Sequence, residues 1–194
     1  VGHGGGAKSR DPHVRRTRGE PPRTLPSATF PRPMSSTRKV TTVYMHHATW
    51  SALPKEDQEL LKLAQRAAGN AYARYSRFKV GAALRLESGE IVPGSNQENA
   101  SFPAGICAER AALHAAMSVV PKGVVECMAI VVPQVKGRDP VTPCGICRQA
   151  LLEQEHRQGS PLRLLMGIVR GPALETFSAE SLLPLSFDSS FLKR

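Results

Sequence analysis

The chain has 194 residues, of which 41% are hydrophobic and four are cysteine, and its formal net charge is +10 at pH 7. This length supports one domain with a sizeable core and a tail. Four cysteines fit a reducing compartment and a metal site better than a disulfide framework, so we expect a cytoplasmic protein. The longest apolar runs have the length of a strand, which excludes a transmembrane helix and a membrane partner.

Most of the positive charge lies in the N-terminal tail. Residues 1–40 contain nine Lys and Arg against two acidic residues, a balance of +7 that leaves +3 for residues 41–194. Consecutive glycines and closely spaced prolines interrupt any helix or strand pattern. The sequence therefore predicts a disordered basic tail over residues 1–48 and one folded domain over residues 49–194.

Three origins are compatible with this tail. It is an organelle-targeting segment, an arm that binds nucleic acid, or sequence translated from upstream of Met34 or added for expression. Residue 1 is Val, and Met34 opens a more ordinary sequence. Because the prolines prevent an amphipathic helix, we favour the last origin, with Met34 as the initiator.

The folded region alternates between helix and strand patterns. In chain order we predict a helix over 55–73, strands over 80–86 and 91–96, a helix over 106–118, a strand over 126–132, a helix over 145–156 and strands over 162–169 and 174–177. The middle elements predict a parallel core covered on both faces, whereas the short turn before the last strand requires an antiparallel return. The predicted fold class is α/β, a three-layer α/β/α sandwich with a mixed five-stranded sheet.

Two cysteine-containing segments carry the chemistry: Cys107 in one, and Cys144 with Cys147 in the other. Three thiolates can bind one Zn²⁺ and leave its fourth position open, as catalytic zinc sites do. Both segments open predicted helices, and a helix N-terminus favours the thiolate. The alternative is a closed structural zinc site with four protein ligands, but Cys127 lies in an apolar run and is predicted to pack in the core.

Glu109 follows the first of these cysteines by two residues. A carboxylate beside the metal can alternate between base and acid, and so can transfer protons during hydrolysis. The alternative is an ordinary acidic residue in the first turn of a helix, stabilised by the helix dipole. The adjacent thiolates favour the catalytic role.

Four blocks of the sequence resemble the cytidine deaminases. Residues 75–84 resemble their first strand entry, 94–100 their nucleoside-binding strand, and 105–110 and 143–149 their two zinc blocks. The resemblance extends from about residue 54 to Phe187. It implies hydrolytic deamination of cytidine and deoxycytidine to uridine and deoxyuridine in pyrimidine salvage, in which zinc activates the attacking water and Glu109 carries the protons.

The resemblance also implies residues that bind the nucleoside. Asn96 and Glu98, two apart at a strand end, point the same way and would bind the sugar, with Glu98 accepting from the 3′-hydroxyl. Phe78 would pack its ring against the pyrimidine, and Ala108 would offer backbone groups to the base. The alternatives are turn residues for the Asn–Glu pair and an ordinary core residue for Phe78.

Two arginines are candidates for tuning the metal. Three thiolates and Zn²⁺ carry a net charge of −1, which weakens the metal as a Lewis acid. Arg110, and secondarily Arg148, would donate to the cysteine sulfurs and draw off part of this charge. For Arg148 an ordinary surface position is the alternative.

The expected substrate is a free nucleoside. A carboxylate that binds a free 3′-hydroxyl repels a 3′-phosphodiester, so nucleic acid is an unfavourable substrate. Two alternatives stay open: a deaminase of another amino-heterocycle, such as a nucleoside antibiotic or a nucleic-acid cytosine, and a zinc-stabilised protein that binds nucleic acid through its tail. The folded region lacks the basic, aromatic stripe that stacks bases, which disfavours the last.

The resemblance to the small three-cysteine deaminases also predicts a homotetramer. The stretch over residues 182–192 is more apolar than a free terminus. We therefore expect Phe187 or Phe191 to cover the active site of an adjoining subunit, in a closed symmetric assembly. The alternative is that these side chains pack on their own sheet.

Overall fold

The computed structural model describes residues 36–192, and the folded unit begins at Lys39. Most of the predicted tail, including Met34, lies outside the described residues. Over residues 36–192, no helix is both long enough and apolar enough to cross a membrane.

Three helices and six strands make up the regular structure of this region. The helices are α1 (Lys55–Ala67), α2 (Ala108–Val119) and α3 (Gly145–Gln158), and the strands are β1 (Met45–His47), β2 (Gly81–Leu86), β3 (Ile91–Ser95), β4 (Val125–Val131), β5 (Arg163–Gly167) and β6 (Ala173–Thr176). Short 3₁₀ turns occupy Trp50–Ala52, Ala68–Asn70, Phe102–Ala104, Glu180–Leu182 and Ser189–Leu192. Each predicted helix and strand is present, with most ends shifted by one or two residues; the exception is α1, which ends at Ala67 instead of residue 73.

The strands form one sheet in the order β1-β6-β5-β4-β2-β3. The prediction of five strands is wrong, because the sheet has six. The additional strand, β1, pairs antiparallel with β6 through Met45–Glu175 and His47–Ala173. The predicted tail boundary at residue 48 therefore falls too late. These three residues are largely exposed, so the strand depends on the free edge of β6 and on the 2.8 Å contact of His47 Nε2 with Glu175, not on an apolar pattern of its own.

The sheet has fewer adjacent parallel strands than the sequence predicted. β4 and β5 are parallel neighbours, and β6 returns antiparallel to β5 as expected. β2 pairs antiparallel with both β3 and β4 and so lies between them. β2 thus separates β3 from β4, two strands that run in the same direction, which the order of elements along the chain did not show.

The sheet is covered on both faces, which gives the predicted three-layer α/β/α sandwich. Alternate residues of β4 point to opposite faces: Cys127, Ala129 and Val131 belong to the cluster with α1, whereas Met128 and Ile130 belong to the cluster with α2 and α3. Each face therefore has its own apolar core.

Glycine permits the close approach that positions α2. A Cβ atom at Gly94 would lie 2.4 Å from Ala112 N and 2.5 Å from Ala108 O, which no side chain tolerates. The backbone of β3 therefore packs directly against the first turns of α2. This contact brings the start of α2 to the end of β3, where the candidate site lies.

Candidate active site

The three predicted zinc ligands converge at two helix N-termini. Cys107 is the N-cap of α2, Cys144 is the N-cap of α3, and Cys147 lies one turn further along α3. All three Sγ atoms lie within 4.8 Å of one another, and those of Cys107 and Cys144 are 3.9 Å apart. Tetrahedral zinc with Zn–S bonds of about 2.3 Å places sulfurs roughly 3.8 Å apart, so the thiols fit this metal.

The cluster favours a thiolate. Hydrogen bonds from Cys147 and Cys144, together with the nearby Arg110, lower the pKa of Cys107 to about 5 although burial opposes this. Within residues 36–192, no other group of three His, Cys, Asp or Glu side chains is arranged to hold a metal. Cys127 lies apart, fully buried in the α1 core, as predicted.

Glu109 lies in the first turn of α2 and is 5% exposed. Burial raises the pKa of its carboxyl, and the charge of Cys107 acts in the same direction. A raised pKa brings a carboxylic acid closer to neutral pH, where it can both accept and release a proton. The side chain also lines the cavity described below, so a reacting molecule can reach it.

The two arginines occupy different places. Desolvation lowers the pKa of Arg110, but the adjacent Cys107 and Cys147 raise it by more. The buried Nε of Arg110 has no hydrogen-bond partner in the described part of the chain. Arg148 instead donates to Pro143 O at 2.8 Å, to Leu182 O at 2.9 Å and to Thr142 Oγ1 at 3.0 Å. The expectation that Arg148 donates to the sulfurs is therefore wrong, because its guanidinium is used to hold the loop before Cys144 and the C-terminal segment.

The predicted sugar residues brace the loop between the 3₁₀ turn at Ala68–Asn70 and β2. The Asn96 side chain accepts from Val80 N at 2.8 Å and donates to Phe78 O at 2.9 Å. Glu98 accepts from Tyr75 N at 2.7 Å and from the Ser76 hydroxyl. The Ser76 hydrogen bond, together with backbone N–H groups, lowers the pKa of Glu98 and keeps it ionised.

One cavity of about 630 Å³ brings most of these groups together. Its lining includes Phe78, Asn96, Glu98, Cys107, Glu109, Arg110 and Cys144. Phe78 is 39% exposed on this wall, so it is not an ordinary core residue. Ala108 and Cys147 lie fully buried outside the lining, and the side chain of Ala108 packs in the α2 core.

Sequence reasoning missed several lining residues, among them Ser76, Phe102, Thr142 and Ile146. Ser76 had a local signal, since a serine hydroxyl commonly bonds the backbone two residues on, and here it accepts from Phe78 N at 2.9 Å. Phe102 and Ile146 are 76% and 65% exposed, and no pattern in the chain shows that loop residues meet at one opening.

Charge in the cavity is unevenly distributed. Glu98 and Glu109 are acidic, and Arg110 is the one Lys or Arg among its lining residues. Arg110 lies beside the thiols of Cys107 and Cys147, which raise its pKa against the effect of desolvation. The cavity therefore presents two carboxylates, three side-chain amides and two phenyl rings to a ligand, against a single cation.

An α/β/α sandwich with three convergent thiols and a buried carboxylate defines the class of zinc-dependent deaminases. A family model described as the cytidine and deoxycytidylate deaminase zinc-binding region matches residues 54–158, more than half of the chain. The chain belongs to this family. The predicted family and the predicted zinc cofactor are thereby confirmed, since all three thiols lie inside the matched zinc-binding region.

Individual relatives agree with this assignment. The cytidine deaminase of Halalkalibacterium halodurans is 38% identical over 130 residues, covering 67% of this chain and 92% of that protein. The cytidine deaminase of Mycobacterium tuberculosis is 40% identical over 102 residues, covering 52% and 74%. The crystal structure of cytidine deaminase from Burkholderia pseudomallei has a TM-score of 0.60 at 38% identity, covering 66% of this chain and 97% of that one.

Proposed function

We propose that this protein catalyses the zinc-dependent hydrolytic deamination of cytidine and deoxycytidine to uridine and deoxyuridine, as an enzyme of pyrimidine salvage in the cytoplasm. The observation that carries this proposal is that Glu109, buried and with a raised pKa, shares one cavity with the thiol cluster and with Glu98. A structural zinc site needs neither this carboxylate nor the cavity.

The chain's own residues supply the proton transfers. Cys107, Cys144 and Cys147 would hold zinc, which when bound would supply hydroxide from water at neutral pH. Glu109 would accept one proton of the attacking water and deliver it to N3 of the pyrimidine. It would then take the second proton from the hydroxyl now on C4 and deliver it to the departing amino group, which leaves as ammonia. The reaction balances as nucleoside plus water giving the keto product plus ammonia. Arg110, beside Cys107 and Cys147, would draw negative charge from their thiolates.

Phe78, Asn96 and Glu98 would hold the nucleoside. The exposed ring of Phe78 offers an aromatic surface for the base. Glu98 is fixed and ionised, and therefore only accepts hydrogen bonds, which suits a sugar hydroxyl.

The charge distribution favours a nucleoside over a nucleotide. A phosphate would enter a cavity lined by two carboxylates and a single cation, Arg110, which lies beside the thiols. A 3′-phosphodiester would also meet Glu98 directly, which disfavours a nucleic-acid substrate. Electrostatics thus supports cytidine and deoxycytidine as substrates within a family whose description also includes deoxycytidylate.

We further propose that the enzyme is a homotetramer in which neighbouring subunits border each cavity. Leu185, Phe187 and Phe191 are 94%, 57% and 70% exposed in the isolated chain. Phe102 and Ile146, at the cavity, are exposed as well. Apolar surface of this kind marks a protein–protein contact, and the C-terminal segment and the cavity opening supply two such surfaces.

The decisive experiment follows the loss of cytidine absorbance with the zinc-loaded, purified protein. We expect turnover of cytidine and deoxycytidine, little turnover of their 5′-phosphates or of single-stranded DNA, and loss of activity with a zinc chelator. Faster turnover of deoxycytidylate than of deoxycytidine would contradict the nucleoside assignment. Turnover of none of these by the zinc-loaded protein would contradict the proposal as a whole.

A further inference from the structure

Ser76 connects two groups that the proposed function assigns to different parts of the substrate. Its hydroxyl donates to Glu98 Oε1 and accepts from the Phe78 N–H at 2.9 Å. We propose that Ser76 is a positioning residue that couples recognition of the sugar 3′-hydroxyl by Glu98 to the placement of the Phe78 ring against the base. This inference rests on the proposed function, because it assumes a nucleoside in the cavity.

The Ser76 hydroxyl both donates and accepts a hydrogen bond. A serine hydroxyl has one proton to donate and two lone pairs that accept. Here its proton points to the carboxylate of Glu98, and a lone pair receives the N–H of Phe78. The result is a continuous donor–acceptor chain from Phe78 through Ser76 to a charged acceptor. Hydrogen bonds in such a chain strengthen one another, and those to a carboxylate are the stronger kind.

The loop that carries Phe78 depends on side-chain contacts for its shape. Arg77, the preceding residue, has a φ of +59°, in the left-handed region that non-glycine residues rarely adopt. The carbonyl of Phe78 accepts from Asn96 Nδ2 at 2.9 Å, so both backbone polar groups of Phe78 are held by side chains. Removing the Ser76 hydroxyl releases one of these two anchors and leaves the other intact.

Glu98 keeps capacity for a ligand. Its Oε2 accepts from Tyr75 N at 2.7 Å, and the Ser76 N–H lies 3.3 Å from both oxygens. With the Ser76 hydroxyl, three donors face a carboxylate that has about four lone-pair positions. The remaining position can accept from a sugar hydroxyl. A sugar hydroxyl bound there would donate to the same Glu98 carboxylate that accepts from Ser76. Sugar binding would therefore affect the orientation of Ser76, and through Ser76 that of Phe78.

The test compares cytidine with 3′-deoxycytidine, which lacks the hydroxyl in question. The zinc-loaded wild type is assayed beside Ser76→Ala, Ser76→Thr and the control Ser101→Ala. Ser101 is an exposed serine whose backbone N–H, bonded to Asn99 Oδ1 at 2.9 Å, is retained in the variant. We expect Ser76→Ala to lower kcat/KM for cytidine about ten- to hundredfold and for 3′-deoxycytidine only a fewfold. Ser76→Thr should restore most of the cytidine rate, and Ser101→Ala should match the wild type.

A double-mutant cycle provides an independent readout. If Ser76 acts through Glu98, adding Ser76→Ala to Glu98→Ala should cause little further loss on cytidine. Losses that multiply, or equal losses of Ser76→Ala on both substrates, would overturn the coupling. If Ser76→Ala melts at a lower temperature than the wild type, the same comparison is made with Ser76→Cys, whose side chain is of similar size and is only a weak donor.

The same data separate this inference from the proposed function. A wild type that deaminates cytidine and 3′-deoxycytidine with equal kcat/KM has no 3′-hydroxyl site, which overturns the proposed sugar contact and the coupling together. If the wild type prefers cytidine but Ser76→Ala loses kcat/KM equally on cytidine and 3′-deoxycytidine, the coupling is overturned and the proposed sugar contact stands.

Discussion

The Asp57 carboxylate on α1 is fully buried and accepts a hydrogen bond from the Arg85 guanidinium on β2 at 3.2 Å. Arg163 on β5 donates to the same oxygen of Asp57. The two arginines also pair with Glu126 and Glu175, at 2.9 and 3.0 Å. One chain of alternating charges therefore ties α1 to four strands on the face of the sheet opposite α2 and α3.

We expect Asp57→Ala to destabilise the fold strongly. The substitution leaves Arg85 and Arg163 without their shared buried acceptor, and breaking a buried ion pair from one side costs about 3–5 kcal/mol. Urea unfolding measures this loss. Glu59→Ala is the matched control, because the Glu59–Lys62 pair on the same helix, at 2.6 Å, is exposed to solvent and such pairs contribute little to stability. Equal losses in the two variants would show that the network does not stabilise the fold.

The metal ligands give a second prediction. Cys144→Ala should lose zinc, whereas Cys127→Ala should retain one zinc per chain, as measured by metal analysis. Burial raises the pKa of Cys127 to about 12. Its thiol therefore stays protonated at pH 8, and we expect Cys127 not to react with iodoacetamide in the folded protein, before or after chelation. The pKa of Cys127 in the folded protein lies above its value in the unfolded chain. The contribution of the protonated thiol to the free energy of unfolding is therefore complete below about pH 9 and declines as the pH rises towards 12. Equal zinc loss in the two variants would contradict the ligand set.

The sequence was most informative where a short motif carries both the chemistry and the local structure. Cys107 and Cys144 each precede a helix, so ligand positions and helix starts could be predicted together. The strand β1 was missed because three residues at a sheet edge, two of them histidine, are too few to show a periodic pattern. The role of Arg148 could not be predicted either, since its acceptors include Leu182 O, 34 residues further along the chain.

The catalytic carboxylate gives a third prediction. Glu109→Gln should keep its zinc and its fold but lose about 10²–10⁴-fold in kcat, as is typical when a general acid–base group is removed. Because burial raises the pKa of Glu109, wild-type kcat/KM should fall on the acid side at a higher pH than for an ordinary carboxyl. kcat/KM declines there because Glu109 becomes protonated as the pH decreases and can no longer accept a proton. Cytidine turnover near the wild-type rate in Glu109→Gln would refute the mechanism.

The sugar site gives a fourth prediction. Glu98→Ala should weaken cytidine turnover mainly through KM, because in the proposed complex the carboxylate contacts the sugar, away from the reacting carbon. In the wild type, 3′-O-methylcytidine should react poorly, since the methyl group removes the donor that an ionised carboxylate requires. Steady-state kinetics with both substrates tests this. Deamination of 3′-O-methylcytidine as fast as cytidine would exclude the contact.

The last prediction concerns assembly, and a chain beginning at Met34 is sufficient to test it by light scattering. We expect a tetramer, because Phe187 and Phe191 stack on one another with centroids 5.9 Å apart yet stay largely exposed in the isolated chain. Replacing both with Ser should shift the mass towards smaller species and reduce activity in parallel, because in the proposed tetramer neighbouring subunits border each cavity. Phe177→Ser is the control, because Phe177 is similarly exposed at 55% but lies outside the C-terminal segment. A fully active monomer at nanomolar concentration would show that each cavity is complete within one chain.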